Sequence, residues 1–208
     1  MGKNYSRNNA SGKRKPSDLY ETHYSLTREF LDATIWYRHF SICDPCAGNG
    51  AIVKILEEYE FNLIDYHDIL TDGVDFLQDN TPVQYIISNP PYSLANEFIL
   101  HAKEVVKEKF AFLLPLTYLQ GSYRYNNIWM DIGFPLESIH VFNRFPMLGV
   151  PLREDGLMPT GMQAMAWFTW NRKHEGEPTI HWLDIDKYIL RKEHKSEVRV
   201  WKIKSISG

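Results

Sequence analysis

Cysteine is scarce in this 208-residue chain, which has two, Cys43 and Cys46. Their C-x-x-C spacing invites a zinc or redox reading, but a closed zinc site takes four ligands. No second cysteine pair follows, and the eight histidines are scattered with no H-E-x-x-H among them. Both thiols therefore read as small apolar residues at the end of a strand, and no metal is expected. Long apolar runs are also missing. Nothing approaches the roughly 20 residues that span a bilayer, and the basic N-terminus lacks the apolar stretch of a signal peptide. Free thiols and no export signal place the chain in the cytoplasm as an expectation. A positive balance is lacking too: the formal net charge is −3, so charge alone does not mark a nucleic-acid binder. No internal repeat is present.

What is present fits one compact domain, with 44% hydrophobic and 14% aromatic residues and enough length for a sizeable core. Lys3, Arg7, Lys13, Arg14 and Lys15 all precede the first acid, Asp18. Residues 1–17 thus read as a disordered basic tail able to follow a phosphate backbone, and 18–208 as the domain. The stretch 191–204 is basic as well and reads as an edge strand plus tail. Between these ends, apolar positions alternate between two periods. Leu26, Phe30 and Leu31, then Ile52, Ile55, Leu56 and Tyr59, then Leu94, Phe98, Ala102 and Val105 recur at helical spacing. Residues 41–43, 61–64, 85–87, 110–116, 139–142 and 164–170 read as strands. The alternation implies a mostly parallel sheet with helices on both faces. Residues 143–163, with Pro146, Gly149, Pro151, Gly156, Pro159 and Gly161, form a long irregular loop of the kind that often carries function.

Asn89-Pro90-Pro91-Tyr92 follows the apolar run Tyr85-Ile86-Ile87, so it sits where a buried strand ends. Each proline drives the residue before it toward an extended conformation and removes a backbone donor. The result is a rigid turn rich in acceptors. The Asn89 side-chain oxygen and the Pro90 carbonyl can aim at one donor group, while the Tyr92 ring can lie flat against a planar substrate. An exocyclic amine on a base satisfies that arrangement. Its lone pair is delocalised into the ring, and two acceptors holding its hydrogens favour a pyramidal, nucleophilic nitrogen. The tetrapeptide resembles the fourth motif of the amino-methyltransferases that use S-adenosylmethionine, and the Asn-Pro-Pro-Tyr form is most often seen in that family's N6-adenine enzymes.

Upstream, Asp44-Pro45-Cys46-Ala47-Gly48-Asn49-Gly50 links a strand to a helix. Gly48 and Gly50 permit positive φ and close backbone approach to a ligand. Val53 stands where the third glycine of a dinucleotide fingerprint would be. The loop is much more similar to the methyltransferases' first motif. That resemblance implies that Asp44, Pro45, Cys46, Gly48 and Gly50 wrap the methionine part of the cofactor, with the acid near its ammonium group. A carboxylate for the ribose is expected roughly 20 residues beyond the Gly-rich turn. Asp68 lies 20 positions after Gly48. Asp65 is its rival, and Asp68 is favoured because Ile69 follows it and can cover one adenine face. Asp75 and Phe76 resemble the third motif, which implies contacts to the adenine amine and ring. Residues 18–24 resemble the tenth motif, with His23 in place of the usual proline, and imply that Tyr20 and Thr22 close over the methionine end.

The order of these motifs matches the gamma group of amino-methyltransferases over about residues 18–171. The resemblance implies a Rossmann-like class I fold with a seven-stranded, mostly parallel sheet. It also implies methyl transfer from S-adenosylmethionine to adenine N6 in DNA, carried by Asn89, Pro90, Pro91 and Tyr92, with Asn89 also facing the cofactor. The base must be extruded from the duplex, at a cost of a few kcal/mol that a stacking pocket recovers. Phe145 is the candidate to stack opposite Tyr92, and Arg124, Arg144 and Arg153 are candidates for phosphate. Transfer is then one in-line displacement governed by alignment. Gamma-type enzymes read sequence with a further domain, for which only residues beyond about 172 are available. Specificity is thus expected from the 143–163 loop, from a partner chain or homodimer, or to be low, as in small phage and prophage enzymes. The same tetrapeptide occurs in enzymes acting on adenine in RNA or glutamine in protein. These acceptors, cytosine N4, and an inactive cofactor- or DNA-binding module are the alternatives.

Overall fold

A computed structural model of the chain describes residues 22–146, 159–161 and 163–186. The basic tail 1–17, Tyr20, Arg153, the stretch 191–204 and most of the 143–163 loop lie outside the described residues.

The strand at the centre is β4 (Val106–Pro115). Side chains alternate between the faces of a strand, and from Phe110 onward both faces are covered, so the sequence from Phe110 to Leu116 is apolar without interruption. Phe110, Phe112 and Leu114 pack with Phe98, Ile99, Ala102 and Val105 of α3 (Ala95–Val105). Ala111 and Leu113 face the opposite way, toward Leu26, Phe30 and Leu31 of α1 (Tyr24–Ala33) and Ile52, Ile55 and Leu56 of α2 (Ala51–Glu58). Each helix buries a stripe at the spacing seen in the sequence. Buried aromatic rings fill these layers. Trp167 stacks on Phe30 with ring centroids 4.8 Å apart, and its indole N–H reaches the Leu26 carbonyl at 3.1 Å.

The remaining strands are β1 (Ser41–Asp44), β2 (Leu63–Tyr66), β3 (Val83–Ser88), β5 (Leu136–Phe142), β6 (Met165–Asn171) and β7 (Thr179–Leu183). They form one seven-stranded sheet in the order β2-β1-β3-β4-β6-β5-β7. β6 runs antiparallel to its neighbours β4 and β5, and the other pairings are parallel. The seven-stranded, mostly parallel sheet with helices on both faces is therefore as expected. Six of its strands were legible in the sequence. The seventh, β7, was not, because it is an outer strand whose Ile180 and Trp182 are exposed rather than buried.

From β1 the chain steps outward to β2, then crosses back to place β3 on the other side of β1. Ligands of open parallel sheets bind beyond the carboxyl ends of the strands at such a reversal. The loop after β1 and the turn after β3 meet there. Among the described residues no helix is long and apolar enough to cross a membrane.

Candidate active site

A cavity of about 190 Å³ opens at this reversal. Its lining includes Thr22, Asp44, Pro45, Cys46, Gly48, Asp68, Ile69, Asp75, Phe76, Asn89 and Pro91. Most of the expected cofactor and acceptor residues are thus brought from five separate segments to one place.

The loop after β1 reaches the cavity by turning sharply. Gly48 (φ 52°) and Gly50 (φ 77°) take left-handed conformations, and a Cβ at Gly50 would meet nothing within 4 Å. Backbone strain for any other residue, rather than crowding, is what asks for glycine at position 50. Gly50 itself does not line the cavity but starts α2.

Three carboxylates surround the cavity in different states. Asp44 is fully buried at the end of β1. Its Oδ1 accepts from the Ser88 hydroxyl at 2.6 Å and from the Cys46 amide at 3.3 Å. Its Oδ2 is buried with no hydrogen-bond partner among the described residues. Burial pushes the Asp44 pKa up to about 7, against the opposing effect of the Ser88 and Cys46 hydrogen bonds, and nearby Asp68 adds to the rise. A buried carboxylate oxygen in this state fits a cationic ligand group. Asp68 uses both oxygens, accepting the Gly48 amide at 2.9 Å and the Leu70 amide at 2.9 Å. Each oxygen keeps a second lone pair for a hydroxyl. Asp75 accepts the Leu77 amide at 3.0 Å and so starts the tight turn Phe76–Gln78. The rival Asp65 is exposed, engages the Tyr66 amide and His67, and does not line the cavity.

Ser88 carried no signal as a site residue, yet it is fully buried and orients Asp44. The available clue was a hydroxyl residue ending an apolar run directly before Asn89. The parallel pairing of β1 and β3 is what aligns Ser88 with Asp44.

At the turn after β3, the Asn89 amide nitrogen donates to the Thr22 hydroxyl at 3.1 Å, which fixes the side-chain plane. Pro91 lines the cavity, while Pro90 is buried. The residue after Thr22 stands where the resembled motif has proline. His23 adopts φ −71° and ψ 137°, a conformation proline itself takes, and its ring nitrogen accepts the Ser25 amide at 3.2 Å to cap α1.

Tyr92 and Phe145 do not line the cavity; both are half-buried against the same core cluster, that of α1 and α2. The Phe145 ring lies 6.4 Å from that of Phe142. The two arginines expected at phosphate are engaged within the chain. Arg144 donates to Asp186 through Nε at 2.7 Å, and its side chain is 14% exposed. Arg124 folds over the Tyr118 ring, 4.7 Å from its centroid, and its Nε donates to the Tyr118 carbonyl at 2.8 Å. Cys43 packs in the core and Cys46 beside the cavity, and burial pushes both thiols up, so neither is a thiolate nucleophile.

No family-level sequence profile matches the chain, and no curated protein matches it in sequence. Solved structures do match in three dimensions. The methyltransferase subunit of a type I restriction-modification system from Streptococcus thermophilus is 12% identical over 82% of this chain and 48% of its own, with a TM-score of 0.53. The type I restriction enzyme EcoKI M protein is 12% identical over 81% and 49%, at 0.53. A chain from a study of complex assembly of the type I restriction-modification system is 11% identical over 79% and 44%, at 0.56. The chain therefore spans less than half the length of these matches. With the strand order above, they establish the Rossmann-like methyltransferase fold.

Proposed function

We propose that this chain transfers a methyl group from S-adenosylmethionine to the N6 amino group of adenine in DNA. The observation that carries this reading is that Asn89 and Pro91 line the same cavity as Asp44, Asp68 and Asp75. An acceptor turn thereby adjoins a set of carboxylates suited to an ammonium group, a ribose diol and an adenine amine.

In this reading the cofactor supplies an electrophilic methyl group on its sulfonium. Asp44 Oδ2 would hold the ammonium, Asp68 the ribose hydroxyls and Asp75 the adenine amine. Ile69, which is 57% exposed although it lines the cavity, would gain its cover from the adenine ring. Thr22, Pro45, Cys46, Gly48 and Phe76 would shape the remainder, with Tyr20 closing over the methionine end. Asn89 and the Pro90 carbonyl would accept the two hydrogens of the target amine, aligning its lone pair for in-line attack. Tyr92 and Phe145 would flank the extruded base.

Charge supports where the polynucleotide would be gripped. The described residues hold ten Lys and Arg against twenty Asp and Glu, whereas the other segments hold thirteen against six. Phosphate contacts would then come chiefly from those segments, Arg153 among them, with Arg124 and Arg144 able to contribute only by leaving their internal partners. Sequence recognition would fall to a partner chain or a second copy, in keeping with the matched proteins, which belong to restriction-modification systems.

The test is to incubate the purified chain with S-adenosylmethionine and unmethylated DNA, RNA or protein, and to identify the modified nucleosides or residues by mass spectrometry. N6-methyladenine in DNA is expected. Methyl groups found only on RNA, protein or cytosine N4 would sink the acceptor assignment. Cofactor binding without any transfer would favour an inactive binding module.

A further inference from the structure

We infer that Tyr118 and Arg124 are positioning residues that hold the acceptor turn in its working shape. The inference rests on the reading of Asn89–Tyr92 as that turn, and it adds two residues from outside the turn to the site.

The Tyr118 hydroxyl donates to the Tyr92 backbone carbonyl, across 26 residues of sequence. Tyr118 lies on the tight turn Leu116–Leu119, which follows directly from the end of β4. β4 and β3 are paired in parallel, so their carboxyl ends leave the sheet side by side. A hydroxyl on the first turn after β4 is therefore within reach of the turn after β3.

Tyr118 is itself fixed. Arg124 spans it with three contacts, through its guanidinium over the ring and through donors to the Tyr118 and Gln120 carbonyls. The fold-back depends on Gly121. At φ 137° this residue lies in a region that favours glycine, and a Cβ there would come within 2.9 Å of the Arg124 guanidinium. Gly121 lets the arginine return, the arginine clamps the ring, and the ring presents its hydroxyl to Tyr92. A planar, five-donor side chain suits this use, because lysine can neither stack in the same way nor serve two carbonyls in a fixed fork.

The bonded Tyr92 carbonyl stands at the end of the Asn89–Tyr92 turn. It belongs to the first residue of the 3-10 turn Tyr92–Leu94, so the bond holds the backbone that carries the Tyr92 side chain. An alignment-limited reaction is sensitive to shifts well below the size of a side chain. Tyr118 does not line the cavity, so its removal should lower turnover without lowering cofactor affinity.

Tyr118→Phe keeps the ring packing and the Arg124 stack while removing only the hydroxyl. We expect kcat/KM for DNA to fall by roughly tenfold, the order expected for one lost hydrogen bond, with cofactor Kd unchanged. Backbone hydrogen exchange over residues 88–99 should quicken in the same variant. Arg124→Ala should behave alike, and the double variant should lose no more than the worse single one, as for two parts of one unit. An unchanged kcat/KM in Tyr118→Phe, with an active wild type, overturns the inference even if exchange quickens, because the contact would then be structural only. If the wild type transfers no methyl group to any acceptor, the proposed function fails instead. The positioning contact is then judged by exchange alone, and unchanged exchange overturns it.

Discussion

Asp68 accepts the Gly48 amide at 2.9 Å, so a carboxylate beyond the end of β2 is tied directly to the Gly-rich loop after β1. Its other oxygen accepts the Leu70 amide, also at 2.9 Å. One side chain therefore shapes the loop and presents the remaining lone pairs of a charged group to the cavity.

Asp68→Asn replaces one of these oxygens by a donor that must face a backbone N–H. Cofactor Kd, measured by titration calorimetry, should rise by about 10- to 100-fold, as for the loss of one or more bonds to a charged group. Asp65→Asn should leave it unchanged. The opposite ranking would move the ribose site to Asp65.

With the cofactor's ammonium at Asp44 Oδ2, as proposed, its binding should depend on pH. Its carboxyl is pushed up to about 7 in the unliganded protein, and a cationic ligand beside Oδ2 favours the ionised form. Affinity should therefore rise with pH through about 7 and then level off. Binding at pH 6 should release close to one proton, and binding at pH 8 almost none. Calorimetry in buffers of different ionisation enthalpy measures that number directly, and equal release at both values would remove Asp44 from the ammonium site.

The same shift has a stability consequence of opposite sense. A carboxyl whose folded pKa exceeds its unfolded value contributes stability that is complete below the unfolded pKa and lost as pH rises through the folded one. For Asp44 that window runs from about 4 to about 7. Asp44→Asn keeps an acceptor for Ser88 but cannot ionise. The unliganded variant should melt a few degrees above the wild type at pH 8, with the advantage shrinking toward pH 5. It should also bind the cofactor at least tenfold more weakly. A variant less stable than wild type at pH 8 contradicts the cost assigned to the buried charge.

Asn89→Ala should lower kcat/KM by more than about 100-fold, the scale of losing a preorganised polar group at the reacting atom, while cofactor Kd stays near the wild-type value. Single-turnover kinetics separate the two. Undiminished transfer would refute the role given to the turn.

The C-terminal cations should set the salt response. With Arg199, Lys202 and Lys204 all changed to Gln, the slope of log K for DNA against log salt should flatten by about two to three units, since each phosphate contact contributes roughly 0.9. A slope equal to the wild type's would assign the phosphate contacts elsewhere.

Much of this was readable before any coordinates. The Asp44–Gly50 loop, the 20-residue step to Asp68 and the Asn89–Tyr92 turn are local signals, fixed by glycine, proline and strand-end position. The C-terminal part of β4 was readable too, since from Phe110 onward burial on both faces leaves no polar residue to interrupt the run, whereas Lys107, Glu108 and Lys109 hid its start. What escaped depends on pairing. Ser88 acquires meaning only because β3 lies beside β1, and Tyr118 only because β4 lies beside β3. Arg124 and Arg144 show the converse: each looked like a surface cation for phosphate, but Tyr118 and Asp186 claim them from a distance that sequence spacing does not show. β7 was missed because an edge strand with an exposed Trp182 lacks the burial pattern that identifies strands.

The backbone pairing at the neck of the 143–163 loop reaches further than its two contacts suggest. Pro146 bridges to Thr160, and the Gly161 amide donates to the Phe145 carbonyl at 2.8 Å. Residues 145–146 and 160–161 are thereby held together beside the sheet by backbone contacts of their own. Because closure entropy changes only slowly with the length of chain between two paired ends, exchanging residues 147–158 for a segment of different length or composition should leave the melting of the sheet nearly unchanged.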